Sequence, residues 1–315
     1  MRPSEGLLLV IGGANMDIAA RSERGIVAQD SNPGQVRFSP GGVARNIAEN
    51  LARLGHSPRL ITLVGQDMLG QSLLSHTQEA GVDVSGVEML SGVPTATYVS
   101  LQGPDGDMAV AVNDMALLGE LTPGRLQHRR ALIERASNLV LDCNLPEATL
   151  DWLFAQAAQA RIHVDSVSVA KCLRIQRHLG RIDTLKLNRQ EAQALTGLAV
   201  QTPQQACAAA QALCGLGVRW VVISMGAQGL AWCEAGQAAV CQPAQAPAQV
   251  VSTTGAGDAL LSGLIDGQLR GFSSRQTVAW AMACAEITLG VAAANAGHLR
   301  PARVLSHLGG VLPPP

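Results

Sequence analysis

The stretch TTGAGDAL at 253–260 sets Gly255, Ala256 and Gly257 directly before Asp258, and an apolar run follows. Residues with little or no side chain let a ligand come close to the backbone. "DALLSGLIDGQL" then continues as a helix. The first amides of a helix have no internal partner, and the helix dipole adds positive charge there. The 255–257 backbone is therefore a candidate anion hole, with Asp258 as a base in its first turn. A base beside an anion hole suits deprotonation of a hydroxyl that attacks a phosphoryl group. The same letters also fit a plain glycine turn with a good first-turn aspartate, so the neighbouring elements matter.

Those elements alternate. Apolar runs at 7–13, 59–65, 138–144, 161–165, 182–188 and 218–226 read as buried strands. Between them, 41–55, 69–81, 147–160 and 203–217 carry helical spacing. Strands apolar throughout and separated by amphipathic helices predict an α/β fold with a mostly parallel sheet covered on both faces. Segments 14–40 and 93–114 break the rhythm with polar, β-prone sequence, and "GPDGD" at 103–107 marks a hairpin turn. They read as a small β lid over the carboxyl ends of the sheet, where ligands of such folds bind. Residues 235–250 read as a hairpin plus a surface loop. The whole chain, 1–315, is expected to form one domain.

Composition narrows the partners. Hydrophobic residues make up 47% and charged residues 15%, and the formal net charge is −1. No basic stripe is present, so neither nucleic acid nor a charged membrane surface is expected as a partner. Only Lys171 and Lys186 are lysines, a skew that reads as genome composition. Seven scattered cysteines without a CxxC pair are expected to be reduced core thiols. No secretion signal is recognisable, and the stretch near 281–294 is broken by Glu286 and too short to span a bilayer. A cytoplasmic protein is expected.

Two long stretches, GGVARNIAENLARLG at 41–55 and VVSTTGAGDALLSGL at 250–264, resemble the motifs of the ribokinase-like (PfkB-type) carbohydrate kinases. The similarity runs end to end. It implies a three-layer sandwich with a nine-stranded core and a β lid, and a phosphotransferase using ATP and Mg²⁺. It implies that Asp258 is the base and that Gly255, Ala256 and Gly257 form the anion hole. Asn15 and Asp17 in "GGANMD" would hold sugar hydroxyls, with Gly41, Gly42 and Asn46 completing the pocket. Asn188 in "NRQE" would face the phosphates, and Glu191 would hold Mg²⁺ through water. Ser224, Gly226, Gly229 and Asn295 would contact the nucleotide. The family commonly has an aspartate where Ser252 stands; Ser252 and Thr254 still offer oxygens to K⁺. Lids in this family pair, which implies a homodimer through the lid.

The lid holds groups that suit a nucleoside acceptor rather than a bare sugar. Ser31 and Asn32 in "DSNPG", with Asn113 and Asp114, offer donors and acceptors to a planar base. "DSNPG" is equally a good turn. Phe38 and Tyr98 are candidates for stacking on the base, or for packing. Arg45 reads either as a ligand or as a solvated first-turn arginine. Another sugar or nucleoside kinase of the same family remains the alternative. A Rossmann dehydrogenase fails because "GGANMD" is not GxGxxG. A Walker-type NTPase fails because no GK[ST] exists. A non-catalytic sensor is disfavoured by the presence of Asp258, Asn188 and Glu191.

Overall fold

A computed structural model describes residues 6–244 and 250–314. Its main sheet has eight strands: β1 (Leu8–Ile11), β4 (Arg59–Ile61), β9 (Asn138–Asp142), β10 (Arg161–Asp165), β11 (Thr184–Asn188), β12 (Trp220–Ser224), β13 (Leu230–Glu234) and β14 (Val240–Gln242). Their order is β14-β13-β12-β11-β10-β9-β1-β4, parallel from β4 to β12 and antiparallel at β13 and β14. The described residues thus form eight core strands rather than the nine implied by resemblance.

Alternation along each strand divides the core into two. Leu9, Ile11, Leu139, Leu141, Val221 and Ile223 face one helical layer, which includes helices Glu147–Gln156 and Pro203–Gly215. Leu8, Val10, Val140, Trp220 and Val222 face the other, formed by helix α1 (Val43–Arg53) and helices Ala256–Leu269 and Ser274–Leu289. Apolar residues on both strand faces demand helices on both sides, which gives the three layers.

The 59–65 run, expected as one strand, is two. β4 lies in the main sheet, whereas β5 (Leu63–Gly65) pairs with β6 (Glu88–Leu90) in a separate two-stranded sheet. The break falls at buried Thr62, whose hydroxyl donates to the Gly12 carbonyl at 2.6 Å. The lid is a four-stranded sheet, β3-β2-β7-β8, built from β2 (Asn15–Ser22), β3 (Gly34–Gly41), β7 (Thr97–Gln102) and β8 (Met108–Asp114). The 103–107 turn joins β7 to β8 as expected. Residues 235–244 include the expected hairpin to β14; 245–249 lie outside the described residues.

One expectation on cysteine is corrected. Cys207 and Cys241 are joined as a disulfide, because β14 returns alongside the Pro203–Gly215 helix; the other five are free and buried. A 34-residue separation without a motif left no sign of this in the sequence.

Candidate active site

Strand order reverses at β1. The chain leaves it for the lid and then β4 on one side, while β9 lies on the other. Crevices outside the carboxyl ends of strands at such a switch point are where open α/β sheets hold ligands. An open cavity of about 650 Å³ lies there, walled by the ends of β1, β9 and β10, by β11, by the lid, and by the start of the Ala256–Leu269 helix.

That helix begins at Gly255, which has φ 78° and no side-chain cap. A Cβ on Gly255 would collide with the Ala294 carbonyl, so glycine is required for both conformation and space. The amides of Gly257 and Asp258 find no partner among the described residues, so they stay available to an anion. Asp258 is 8% exposed, and its Oδ2 accepts from Asn46 Nδ2 at 2.8 Å. Burial, reinforced by the nearby Asp165 charge, pushes the Asp258 carboxyl up to about 7, against the opposing pull of Lys186 and Asn46. A base of that strength is well matched to neutral pH.

Lys186 was not identified from sequence. It is the middle residue of β11, flanked by Leu185 and Leu187, and its Nζ donates to Asp165 Oδ2 at 3.1 Å. A Cβ on Gly257 would lie 2.5 Å from that Nζ, which places the ammonium against the helix start. Burial works against its charge, but Asp165, Asp258 and Glu191 prevail and raise its pKa. Asp165 itself faces the cavity, and its Oδ1 accepts from Val167 N. Asp142 was also missed. Fully buried at the end of β9, it accepts from Gly13 N at 2.8 Å and Ala44 N at 3.0 Å, tying β1 to the start of α1. Burial raises its pKa despite these bonds. A carboxylate closing an apolar strand in "LVLDCN" and "RIHVD", and a lysine inside the apolar run of "TLKLN", are the available signals.

On the acceptor side, Asn15, Asp17, Gly42, Asn46 and Asn113 all line the cavity. Asn15 Nδ2 donates to Asp17 Oδ1 at 2.6 Å. Burial raises the Asp17 pKa, with Asn15 and Arg45 opposing. Gly41 backs Asp17, and a Cβ there would meet its carboxylate. Gly42 caps α1 with φ 97°, and a Cβ would strike Ala14. The lid adds Ser39, Tyr98, Ser100 and Gln102, which alternate into the cavity from paired strands.

Several expected contacts lie elsewhere. Ser31 is exposed and outside the cavity walls. Asn32 closes its own loop, accepting from Val27 N and donating to Val27 O and Asp30 O, so its amide is occupied locally. Asp114 accepts from Ala116 N outside the walls. Phe38 sits on the outer lid face, 60% exposed, because its register partner is Ile18 rather than Asp17. Arg45 is neither solvated nor a cavity wall: buried, it donates to Asn46 Oδ1, Asn295 Oδ1 and Thr77 Oγ1 and pairs with Glu49. Asn295 donates to Asn46 O and Asn50 Oδ1, which turns its amide into the core and away from a nucleotide.

Glu191 is likewise occupied. It is 2% exposed and accepts from Ser166 Oγ at 2.6 Å, Asn188 N at 2.7 Å and Asn188 Nδ2 at 2.6 Å, forming a capping box with Asn188. The carboxylate facing the cavity at this end is Asp165. Asn188 and Ser224 lie side by side at the ends of β11 and β12, and Ser224 Oγ donates to Leu187 O. Neither they nor Gly226 and Gly229 are among the cavity walls. Ser252 and Thr254 are on its rim, with Thr254 N donating to Ser252 Oγ.

A second recess of about 170 Å³ includes Arg161, Asp183, Arg219 and Glu234, near the amino ends of β10–β12. Its Arg219 pairs with Asp183, and Glu234 accepts from Ser274.

Residues 6–300 match the model of the pfkB family carbohydrate kinases. The chain is 37% identical to the pseudouridine kinase of Escherichia coli (strain K12) over 300 residues, covering 95% of each chain. It is 35% identical over 283 residues to the uncharacterized sugar kinase YeiI of the same organism, covering 89% of this chain and 77% of that one. The structure of Arabidopsis thaliana ribokinase complexed with ribose and ATP shares the fold at TM-score 0.86 and 23% identity, covering 96% of this chain and 98% of that one. A matched family model spanning nearly the whole chain and a high-identity relative covering both lengths lead to one conclusion: this chain belongs to the pfkB family of carbohydrate kinases.

Proposed function

We propose that this chain transfers the terminal phosphoryl group of ATP to the 5′-hydroxyl of pseudouridine. The observation that carries the chemistry is Asp258: a buried carboxyl with its pKa raised to about 7, beside unpartnered helix amides at the floor of a cavity. The acceptor hydroxyl loses its proton to Asp258 as its oxygen bonds to phosphorus. The bridging oxygen of ATP departs with its electron pair. The Gly257 and Asp258 amides and the Lys186 ammonium stabilise the charge on the phosphoryl oxygens.

Magnesium fits the donor set in one form. Among the described residues no group of three or more His, Cys, Asp or Glu could hold a bare ion. A strongly hydrated ion resting mainly on phosphate oxygens needs only one or two carboxylates, and Asp165 would meet its water shell. When bound it would neutralise phosphate charge. Potassium would take oxygens from Ser252 and Thr254 on the rim.

Pseudouridine is favoured by the relative at 37% identity and by the lid's inner face. Its base carries an N1–H that uridine lacks, and Ser39, Ser100, Gln102 and Asn113 provide acceptors along that face. The test is ADP release with ATP, Mg²⁺ and a panel of pseudouridine, 1-methylpseudouridine, uridine, inosine and ribose, with K⁺ present or replaced. We expect kcat/KM for pseudouridine to exceed that for uridine and the methylated analogue by about 10²-fold, the scale of one acceptor left unmatched in the bound complex. A preference for ribose would instead support a sugar kinase. That second reading gains from Asn32 and Phe38 lying outside the cavity, and from the 35% identity to a sugar kinase.

We also propose a homodimer through the lid. Val36, Phe38, Val99, Val110 and Val112 are all exposed and occupy paired positions on its outer face. A contiguous apolar sheet face of this kind calls for a covering partner, and a second copy supplies a matching apolar face. In sedimentation experiments the protein should run as a dimer and Phe38→Glu/Val112→Glu as a folded monomer. A wild-type monomer at micromolar concentration would refute this.

A further inference from the structure

The chain has 23 lysines and arginines, of which only Lys171 and Lys186 are lysines, and both line the one cavity that holds Asp258. In a chain so biased toward arginine, two compact ammonium groups converge on one crevice. An ammonium acts as a point charge toward phosphate, where a guanidinium needs a fixed fork geometry.

The two lysines differ in their partners. Lys186 is ion-paired with Asp165. Lys171 is half-buried and has no carboxylate partner among the described residues; its Nζ donates to the neutral Asn144 Oδ1 at 2.6 Å. Burial lowers its pKa, and the Arg174 charge adds to that effect against Asp142. Arg174 also donates through NH1 to the carbonyls of Cys143, Asn144 and Leu145, which clamps the loop that carries Asn144. Asn144 reaches the switch point: a Cβ on Gly13 would lie 3.0 Å from its Nδ2. Asp142 acts electrostatically on both Lys171 and Asp258, so the two groups share a neighbourhood. A half-buried cation without a counter-charge on a cavity wall is completed by an anionic group of the ligand.

We infer that Lys171, held on Asn144, contacts the phosphoryl group as it arrives on the acceptor oxygen and remains on it in the phosphorylated product. This rests on the kinase reading. The O–P bond to the acceptor forms, the bridging O–P bond of ATP breaks with its electrons going to ADP, and the hydroxyl proton goes to Asp258. Lys171 exchanges no proton and supplies charge opposite Lys186.

The experiment compares wild type, Lys171→Met and Lys171→Arg for kcat and KM, and by calorimetry for affinity toward the acceptor nucleoside and toward its 5′-phosphate. In Lys171→Met, kcat should fall about 10²-fold with KM for the acceptor within about threefold. Affinity for the 5′-phosphate should fall at least about tenfold while the nucleoside binds as before. Lys171→Arg should recover part of the phosphate affinity. Equal losses for nucleoside and phosphate, or an unchanged kcat, would overturn the inference. If Lys171→Met does not fold, Asn144→Ala frees the ammonium without removing it, and unchanged 5′-phosphate affinity in that variant overturns it too. A wild type that phosphorylates no acceptor would remove the kinase reading. Binding of inorganic phosphate then decides the Lys171 contact, and equal affinity in wild type and Lys171→Met sinks it.

Discussion

Asp258→Asn should lower kcat by about 10³-fold, within the range that a positioned general base contributes. Asparagine has nearly the shape of aspartate and can still accept from Asn46, so nucleoside affinity should stay within about threefold. The wild-type pH profile should show the same group. The raised Asp258 pKa means that the base is ionised only above about pH 7, so kcat/KM should fall tenfold per unit as pH drops below it. Stability should move the other way. A carboxyl whose folded pKa lies above its unfolded value holds an extra proton in the native state, so its contribution is intact below about pH 4 and is lost as pH rises through about 7. Asp258→Asn should therefore have a higher Tm than wild type at pH 8 and a similar one at pH 4. Retained turnover, or a pH profile flat through 7, would exclude Asp258 as the base.

Asp17→Ala should reduce kcat/KM by about 10²–10⁴-fold. Asp17 faces the cavity from β2, held by Asn15 at 2.6 Å. Two hydrogen bonds from a sugar diol to a carboxylate are each worth about 1.5–3 kcal/mol. An acceptor lacking both the 2′- and 3′-hydroxyls should lose a comparable factor with wild type but little further with Asp17→Ala, since the partner is already gone. Such non-additivity is the signature of direct contact. Full additivity would show that Asp17 acts on the fold and not on the sugar.

Much of the architecture was legible because it follows from local pattern. Two-faced apolar strands and amphipathic helices required a covered parallel sheet, and "GPDGD" announced the β7–β8 hairpin. Gly255, Gly257 and Asp258 were readable because their chemistry is contiguous in the chain. Where elements were misjudged, the competing cause was tertiary. The 59–65 run looked like one strand until Thr62 bonded to the Gly12 carbonyl. For Phe38 the sequence left stacking on a base and packing both open, and lid register turns it outward.

The candidate site was less legible where it depends on groups far apart in sequence. Asp142 and Asp165 read as ordinary strand ends and Lys186 as one polar residue inside an apolar strand, and only the parallel sheet sets them together. Glu191 and Asn295 carried the expected residue types, yet each has its polar atoms engaged in the core. No pattern in a one-dimensional string records which hydrogen bonds a side chain has already made.

The sequence by itself determined the layered α/β architecture and the glycine-led helix start with its aspartate. Both arise from backbone preference and periodic burial within short stretches. Only the tertiary structure decided how strong a base Asp258 is, which carboxylate faces the cavity, and which lysine lacks a counter-charge. Those properties depend on burial and on distances between residues more than a hundred positions apart, such as Asn46 and Asp258.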